Sequence, residues 1–325
     1  MKNLKNKKIL ITGGAGFIGS HLVKRLHNLQ SKVYVTVKYN SIIDNPRLAG
    51  IWDKINIIET DLRNQDSVSD LAKTNFDLIF HLAAYNHVGD SFKHILENIN
   101  SNLISTINLL NNGPKYKKFI HVGTSEIYGH QKILPFNEKE KPNPMSPYAL
   151  SKYSSELFTI LKSKQSKTEI LCVRPFNTFG PYQSEKAVIP EIIMKCLNNQ
   201  TIFTTKGKQT REFNFVENII DGLLLLNQKV SKSIDPINIG SNKPITIKSL
   251  VKKIHKMTNS KSKLKIGHLK YRPNEIWKMS ANNKIILSKG WRPKVSFDDG
   301  LKLTINWYKV FNNLYLKKNS KFNQL

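Results

Sequence analysis

The sequence predicts an α/β fold, in which a doubly wound parallel sheet carries a smaller mixed α/β lobe. Short runs rich in Ile, Leu and Val alternate with helical patterns through the first half of the chain, as is typical of parallel sheets with helices on both faces. A glycine-rich turn joins the first strand to the first helix. Beyond about residue 175, prolines and glycines interrupt the alternation. The second half is therefore expected to be less regular.

The first half contains six predicted strands and four predicted helices. The strands are expected at residues 8–12, 32–37, 55–59, 77–82, 118–122 and 169–173. The helices are expected at residues 18–29, 67–73, 97–110 and 147–161. In the third helix, apolar residues recur at helical spacing, which predicts one buried face.

The second half predicts helices at 189–197 and 216–226 and a strand at 236–239. We expect residues 1–176, with roughly 212–240, to form the larger domain. Residues of roughly 177–211 and 241–325 would then form a lobe at the carboxyl ends of the strands, where open α/β sheets bind ligands. Residues 316–325 are polar, and we expect this end to be frayed.

The chain has a net charge of +28, from 51 Lys and Arg residues against 23 Asp and Glu residues. Only seven of the basic residues are arginines, and the lysines are spread along the chain. We therefore do not expect nucleic acid as a partner, although the charge would attract an anionic substrate.

Cysteine usage and hydropathy favour a soluble cytoplasmic protein. Cys172 and Cys196 have the spacing of neither a disulfide framework nor a metal site, which suits a reducing compartment. No apolar stretch has the length of a secretory signal or of a membrane span. We expect no metal and no membrane partner.

The turn after the first strand predicts a dinucleotide site. Its sequence runs Thr12-Gly13-Gly14-Ala15-Gly16-Phe17-Ile18-Gly19. Glycine allows the backbone to turn tightly and to approach a pyrophosphate closely, and the first amides of the following helix face the phosphates. The context of strand, glycine turn and helix indicates a Rossmann-type site for NAD or NADP.

A second motif predicts acid–base chemistry. Tyr148 and Lys152 are four residues apart in a predicted helix, so they share one face. A phenol has a pKa of about 10, which a nearby ammonium group lowers. The segment Thr124-Ser125-Glu126-Ile127-Tyr128-Gly129 precedes this pair by two dozen residues.

Taken together, these motifs resemble the extended short-chain dehydrogenases/reductases of the NAD-dependent epimerase/dehydratase family. The similarity extends over roughly residues 8–307 and implies an enzyme that acts on a nucleotide-diphosphate sugar. The resemblance implies that Tyr148 takes a proton from a sugar hydroxyl while hydride passes to the nicotinamide. It also implies that Lys152 holds the ribose hydroxyls of the cofactor and that Thr124 orients the sugar.

Further cofactor contacts follow from the resemblance. Asp61 and Leu62 match the adenine contact of the family, and Leu82, Ala83 and Ala84 match the segment beside the cofactor. NAD-preferring members usually carry an acidic residue at the end of the second strand. Here the residues are Val37-Lys38-Tyr39-Asn40-Ser41, and no acid occurs before Asp44. Because Lys38 would attract the additional phosphate, we predict tightly bound NADP, with NAD as the alternative.

The Thr-Ser-Glu triplet resembles that of GDP-mannose 4,6-dehydratases. In such an enzyme Glu126 would remove the proton from carbon 5 of the 4-keto sugar while the carbon 6 hydroxyl departs as water. Ser125 stands where other sugar dehydratases have an aspartate, which leaves Glu126 as the candidate acid. UDP-glucuronate decarboxylases share this triplet, so a decarboxylase is the alternative function, followed by a 4-epimerase.

The remaining candidates concern a GDP- or UDP-linked sugar. An arginine can grip a phosphate with two parallel hydrogen bonds, and Arg211 and Arg272 match the diphosphate contacts of the family. Asn177 resembles its diphosphate or sugar contact, Val188 would line the base pocket, and His87 resembles a residue near the sugar. Family members usually pair through two long helices, so we predict a homodimer formed by helices 97–110 and 147–161.

Overall fold

The structure, a computed structural model, describes residues 4–39, 47–272 and 274–322, with side chains up to Asn312. The first half forms these elements: β1 (Lys8–Thr12), α1 (Phe17–Asn28), β2 (Lys32–Val37), β3 (Asn56–Glu59), α2 (Gln65–Leu71), β4 (Phe76–His81), α3 (Val88–Ser91), α4 (Ile95–Asn98), α5 (Ser105–Asn112), β5 (Tyr116–Val122), α6 (Pro147–Gln165) and β6 (Glu169–Pro175). The predicted strands are all present, and their ends differ by at most two residues from the prediction.

The second half contains shorter strands. Its elements are β7 (Thr178–Phe179), α7 (Val188–Leu197), β8 (Ile202–Thr204), β9 (Thr210–Glu212), β10 (Asn214–Phe215), α8 (Val216–Lys229), β11 (Ile237–Ile239), β12 (Pro244–Thr246), α9 (Ile247–Met257), β13 (Leu264–Ile266), β14 (Lys278–Met279), α10 (Lys284–Ser288) and α11 (Phe297–Phe322). Because α11 continues to Phe322, the expectation of a frayed end from residue 316 is wrong up to that point.

Seven parallel strands form the central sheet, in the order β11-β6-β5-β4-β1-β2-β3. The order reverses between β1 and β4, and at such a switch point the loops diverge and leave a crevice for a ligand. The smaller sheets are β10-β7, β12-β9-β14 and β13-β8. The predicted doubly wound sheet with additional mixed elements is therefore confirmed.

Both faces of the central sheet are buried, which explains why its strands are apolar without interruption. Ile9 and Ile11 belong to the larger core, which also contains side chains of α1, α7 and α8. Leu10 points to the opposite face and packs in a second core with α2 and α5. Alternate residues of one strand thus join different cores.

The predicted helix 97–110 is interrupted. A π-helical segment, Ile99–Ile104, lies between α4 and α5, and the Ser105 hydroxyl donates to the Asn100 carbonyl, five residues earlier, at 3.1 Å. In this segment Asn102 Oδ1 accepts from the Tyr85 amide at 2.7 Å, and Asn102 Nδ2 donates to Ser151 Oγ at 2.8 Å. The wide turn thus directs a polar side chain towards two other elements, which apolar spacing does not reveal.

A buried carboxylate joins the segments that carry the smaller sheets. Glu212, at the end of β9, accepts hydrogen bonds from Asn214 Nδ2 (3.0 Å) and from the amides of Ser241 (3.0 Å), Asn242 (3.2 Å) and Ala281 (2.7 Å). Burial raises the pKa of Glu212, although these hydrogen bonds lower it. The carboxylate thereby fixes β9, and with it the neighbouring Arg211.

Candidate active site

The glycine turn between β1 and α1 borders a cavity of about 300 Å³. Gly13 has a φ of +68°, and a Cβ there would lie 2.7 Å from the Ala83 amide nitrogen. A Cβ on Gly19 would lie 2.2 Å from the Gly13 carbonyl oxygen. The turn therefore requires glycine, and together with the start of α1 it forms a backbone cradle that suits a pyrophosphate.

The structure brings most of the predicted site residues to this first cavity. Its lining includes Gly13, Gly16, Phe17, Ile18, Gly19, Leu82, Ala84, Thr124, Ser125, Glu126, Tyr148, Lys152 and Asn177. The segment that follows β5 supplies the Thr-Ser-Glu triplet, and α6 supplies the tyrosine and the lysine. Asn86, Val88 and Gln183 also line the cavity but were not among the predicted site residues; Asn86 and Val88 flank the predicted His87, and Val88 begins α3.

Tyr148 and Lys152 are both buried. Burial raises the pKa of Tyr148 to about 12, against a lowering effect from its hydrogen bond with Thr124, while the charge of Glu126 raises it further. Lys152 Nζ donates to the Val122 carbonyl at 2.7 Å. The expected lowering of the phenol pKa by this ammonium group is therefore not seen. Burial also lowers the pKa of Lys152 to about 8.

Glu126 lies where the first cavity meets another one. It lines the cavity of the tyrosine and the lysine, and it also lines a cavity of about 460 Å³ that contains Arg211 and Arg272. Burial raises the pKa of Glu126; the two arginines lower it and Glu275 raises it. A carboxyl group with a raised pKa holds a proton more readily than an ordinary glutamate, which suits acid–base chemistry.

Ser125 and Asn177 are joined through a buried methionine. Ser125 Oγ donates to Met279 Sδ at 3.5 Å, and Asn177 Nδ2 lies 3.7 Å from the same sulfur. Met279 is fully buried on β14, which pairs in parallel with β9 beside Arg211. The thioether thus connects the triplet after β5 to the strands that carry the arginine.

The two predicted phosphate-binding arginines differ in their surroundings. Arg211 is mostly buried; its Nη2 donates to Glu275 Oε1 at 2.9 Å, and its Nη1 donates to the carbonyls of Thr210 and Ile276. Arg272 is exposed at the cavity edge. Glu275 is a residue that sequence reasoning missed, and its spacing from Arg211 along the chain gave no signal.

A third cavity, of about 300 Å³, adjoins the ends of β2, β3 and β4. The predicted residues that line it are Gly13, Gly16, Lys38, Asp61, Leu62, Ala83 and Ala84. The lining also includes Glu97, and Arg63 bonds both Glu97 and Asp61 at 2.6–3.1 Å. Arg63 directly follows the Asp-Leu pair, but no motif pointed to Glu97. Asn40, Ser41 and Asp44 lie outside the described residues.

Two predicted substrate residues do not line these cavities. His87 caps α3, because its Nδ1 accepts from the Asp90 amide at 3.0 Å. The same atom lies 3.1 Å from the Asp90 carboxylate. Val188 begins α7 and packs against the larger core. The structure thus places His87 at the edge of the site and gives Val188 a packing contact.

A buried hydrogen-bond chain fixes the segment that contains Leu82 and Ala83, which line the first and the third cavity respectively. Thr106 Oγ1 donates to the Asn102 carbonyl at 2.6 Å, so it accepts from His81 Nε2 at 2.9 Å. His81 Nδ1 then accepts from Thr12 Oγ1 at 2.7 Å, and Thr12 Oγ1 accepts from the Ala83 amide at 3.2 Å. Burial lowers the pKa of His81 to about 3, which keeps the ring neutral.

Three further findings concern the described ranges 4–39, 47–272 and 274–322. They contain no group of three or more His, Cys, Asp or Glu side chains arranged to hold a metal ion. No helix within them has both the length and the apolar character that crossing a membrane requires. Cys172 and Cys196 are buried free thiols.

Comparison with known proteins identifies the family. The family model described as GDP-mannose 4,6 dehydratase matches residues 10–304. A human (Homo sapiens) dTDP-D-glucose 4,6-dehydratase is 30% identical over 93% of this chain and 90% of its own length. Two solved structures, each 26% identical with a TM-score of 0.84, are similar throughout. One is a Streptomyces venezuelae dTDP-glucose 4,6-dehydratase with NAD bound. The match covers 93% of this chain and 97% of the chain of that enzyme.

The other solved structure is a Thermotoga maritima UDP-glucose 4-epimerase with UDP-glucose, which covers 94% of this chain and 99% of its own. Relatives of both reaction classes thus share this fold over nearly the whole chain. The resemblance that the glycine turn, the Thr-Ser-Glu triplet and the Tyr-Lys pair predicted is confirmed. The chain belongs to the GDP-mannose 4,6 dehydratase family, among the NAD-dependent epimerases and dehydratases of nucleotide sugars.

Proposed function

We propose that this protein is a nucleotide-diphosphate-sugar 4,6-dehydratase that forms a 4-keto-6-deoxy sugar. The observation that carries the proposal is the position of Glu126. Its carboxyl group borders both the cavity of Tyr148 and Lys152 and the cavity of Arg211 and Arg272. A sugar whose diphosphate lies at the arginines would thus meet the phenol and the carboxyl group together. The dehydratases among the relatives support this choice.

The chain's own residues suit a nicotinamide dinucleotide. The glycine cradle and the start of α1 would hold the pyrophosphate, while Asp61 and Leu62 would border the adenine. Lys152 would hold the nicotinamide-side ribose. When bound, the dinucleotide would take a hydride from carbon 4 of the sugar and return it to carbon 6. Taken alone, Lys38 would favour NADP, but its pairing with Glu97 bears on that preference.

Tyr148 would act first, as the base that accepts the proton of the carbon 4 hydroxyl at its phenol oxygen. Thr124, hydrogen-bonded to the phenol, would orient that hydroxyl. With a pKa near 12 the phenol is mostly protonated at neutral pH, but the positive charge of a bound nicotinamide would favour the phenolate, which is the form that accepts the proton. Its burial excludes water that would compete for the proton.

Glu126 would then carry out the elimination. Its carboxylate accepts the proton of carbon 5, which the new carbonyl at carbon 4 acidifies, and the resulting carboxylic acid protonates the carbon 6 hydroxyl as it leaves as water. Carbon 5 later regains a proton that originates from the solvent. Ser125 donates to Met279 and would keep the triplet in place.

The arginines and Asn177 would bind the nucleotide diphosphate, by charge and by hydrogen bonds. Arg211 would have to exchange its bond with Glu275 for one with phosphate. The sequence favours a GDP- or UDP-linked sugar, and the dehydratase relatives are named for dTDP-glucose or for UDP-glucose. We propose the diphosphate as the recognised group. His87 and Val188 stay predicted contacts to the sugar and the base.

We also propose a homodimer. Exposed apolar side chains occur on α4, on the π-helical segment and on α6, three elements that contact one another: Ile95, Leu96, Ile99, Leu150, Leu157 and Leu161. A second copy would cover them by the same face, as a two-fold interface requires. We further propose that the chain divides into a larger domain and a lobe with the predicted bounds. The two free thiols favour a cytoplasmic location.

The test is to incubate purified protein with UDP-, GDP-, CDP- and dTDP-sugars in deuterium oxide and to follow product mass. Loss of one water with deuterium at carbon 5 is expected. Loss of carbon dioxide from UDP-glucuronate would instead establish a decarboxylase. A changed sugar configuration without loss of mass would establish a 4-epimerase, and either result would overturn the dehydratase proposal.

A further inference from the structure

The end of β2 lacks the acid that usually binds the adenosine ribose. In Rossmann-type sites a carboxylate at this point accepts hydrogen bonds from the ribose hydroxyls and disfavours the additional phosphate of NADP. Here β2 ends at Val37, and the next residue is Lys38. Yet the cavity beside it contains a carboxylate from another element, Glu97 of α4.

Glu97 is held in place by several groups. Arg63 Nη1 lies 3.1 and 2.9 Å from its two carboxylate oxygens, and Ser101 Oγ donates to Oε1 at 2.9 Å. Lys38 Nζ lies 3.7 Å from Oε1, and because Lys38 directly follows β2, the Glu97 carboxylate lies beside the end of this strand. Burial raises the pKa of Glu97, but Ser101, Arg63 and Lys38 outweigh it and leave the pKa below the ordinary value. The group is therefore ionised at neutral pH.

Among the described residues that line this cavity or bond its lining, two cations, Arg63 and Lys38, face two carboxylates, Asp61 and Glu97. Arg63 bonds Asp61 through Nε and Nη2 and Glu97 through Nη1, so its planar fork is committed to two carboxylates. Lys38 is the second cation, and its charge lowers the pKa values of both Asp61 and Glu97. A 2′-phosphate placed here would be repelled by the two carboxylates, because Arg63 and Lys38 already pair with them.

We infer that Glu97 replaces the missing acid of the second strand and makes this protein select NAD over NADP. Glu97 would accept hydrogen bonds from the ribose hydroxyls, and its charge would repel a 2′-phosphate. This inference rests on the dinucleotide site of the proposed function. It reverses the preference predicted from Lys38, because that prediction treated the lysine without its neighbouring carboxylate.

The test measures cofactor binding rather than turnover. Nucleotide released from the purified protein is identified by mass spectrometry, and the stripped protein is titrated with NADH and NADPH by fluorescence. The variant is Glu97→Gln, which keeps the shape and removes the charge. The control is Glu191→Gln, which removes an exposed carboxylate paired with Lys195 on α7. Circular dichroism verifies that both variants fold.

We expect the unaltered protein to release NAD and to bind NADH at least tenfold more tightly than NADPH. Glu97→Gln should reduce that ratio about tenfold, mainly through tighter NADPH binding, while Glu191→Gln leaves it unchanged. Release of NADP, or a ratio that Glu97→Gln does not alter, would overturn the inference but leave the dehydratase proposal standing. Failure to bind either dinucleotide would overturn both.

Discussion

At the scale of single residues, Tyr148 is proposed to accept the proton of the carbon 4 hydroxyl. Replacing it with Phe removes the oxygen that accepts the sugar proton and keeps the buried ring, so turnover should fall by at least a thousandfold, in the upper range of general-base effects. Cofactor affinity should stay within about threefold. Turnover is followed by product mass and affinity by NADH fluorescence. Tyr153→Phe, on the same helix, is the matched control, and substantial activity in Tyr148→Phe would remove the phenol from this role.

Replacing Glu126 should allow the oxidation of the sugar but block the elimination of water. In Glu126→Gln, Tyr148 and Lys152 are intact, so the sugar should still be oxidised, while the proton of carbon 5 has no acceptor. We expect reduced nicotinamide to accumulate on the protein, visible by its absorbance, with no loss of water and no deuterium at carbon 5. The control is Glu140→Gln, at a half-buried carboxylate that accepts a hydrogen bond from Asn137. Normal water loss by Glu126→Gln would contradict the assigned role.

Most of the candidate site residues that the sequence predicted from contiguous motifs line the cavities. The glycine turn, the Thr-Ser-Glu triplet and the Tyr-Lys pair each have a local backbone requirement that spacing reveals. Glu97 and Glu275 could not be predicted, because each acts through an arginine 34 or 64 residues away along the chain. Such pairings depend on the folded chain and not on local spacing.

Two neighbouring central strands each contain a buried histidine. His81 of β4 and His121 of β5 are paired in register, with ring centroids 5.5 Å apart. Burial lowers the pKa of His81 to about 3 and that of His121 well below its ordinary value, and the charge of Lys152 adds to both effects. Neither ring therefore accepts a proton readily in the folded protein.

This pair should make the sheet sensitive to acid. Below pH 6.5 the unfolded chain binds protons that the folded chain excludes, so stability falls as the pH drops, by about 1.4 kcal/mol per pH unit for each histidine. Urea unfolding at pH 7.5, 6.5 and 5.5 measures the slope. His121→Gln removes one titrating ring, so it should reduce the slope of the unfolding free energy against pH. An equal slope in the variant would show that His121 does not contribute.

Among the elements, strands were predicted more accurately than helices. A buried parallel strand is a short apolar run with clear ends, and all seven central strands are found near their predicted positions. The helix expected at 97–110 was only partly correct, because Asn102 bonds Tyr85 and Ser151 from a π-helical turn. Polar tertiary contacts decided the geometry there.

At the scale of the whole molecule, the exposed apolar side of α4, the π-helical segment and α6 predicts self-association. Leu157→Lys would bury a charge in the proposed interface, so it should convert a dimer into a monomer in light scattering after size-exclusion chromatography. Leu303→Lys, at an exposed position of α11, is the control. A monomeric unaltered protein, or a Leu157→Lys variant that stays dimeric, would contradict the proposed face.

The architecture of the first half of the chain was predicted in more detail than that of the second half. Alternating strands and helices specify a parallel sheet through a general rule of chain geometry. The three small sheets of the second half have strands of two or three residues, which are too short to show periodicity. Their arrangement depends on long-range contacts such as those of Glu212.

The four hydrogen bonds of Glu212 also bear on the order in which a growing chain can become functional. The residues proposed to hold the dinucleotide have all been synthesised by Lys152. Arg211 follows later, but the amides that fix its neighbour belong to Ser241, Asn242 and Ala281. During synthesis at about 5–20 residues per second, a nascent chain would therefore contain every residue proposed to hold its coenzyme several seconds before it contained those that fix Arg211.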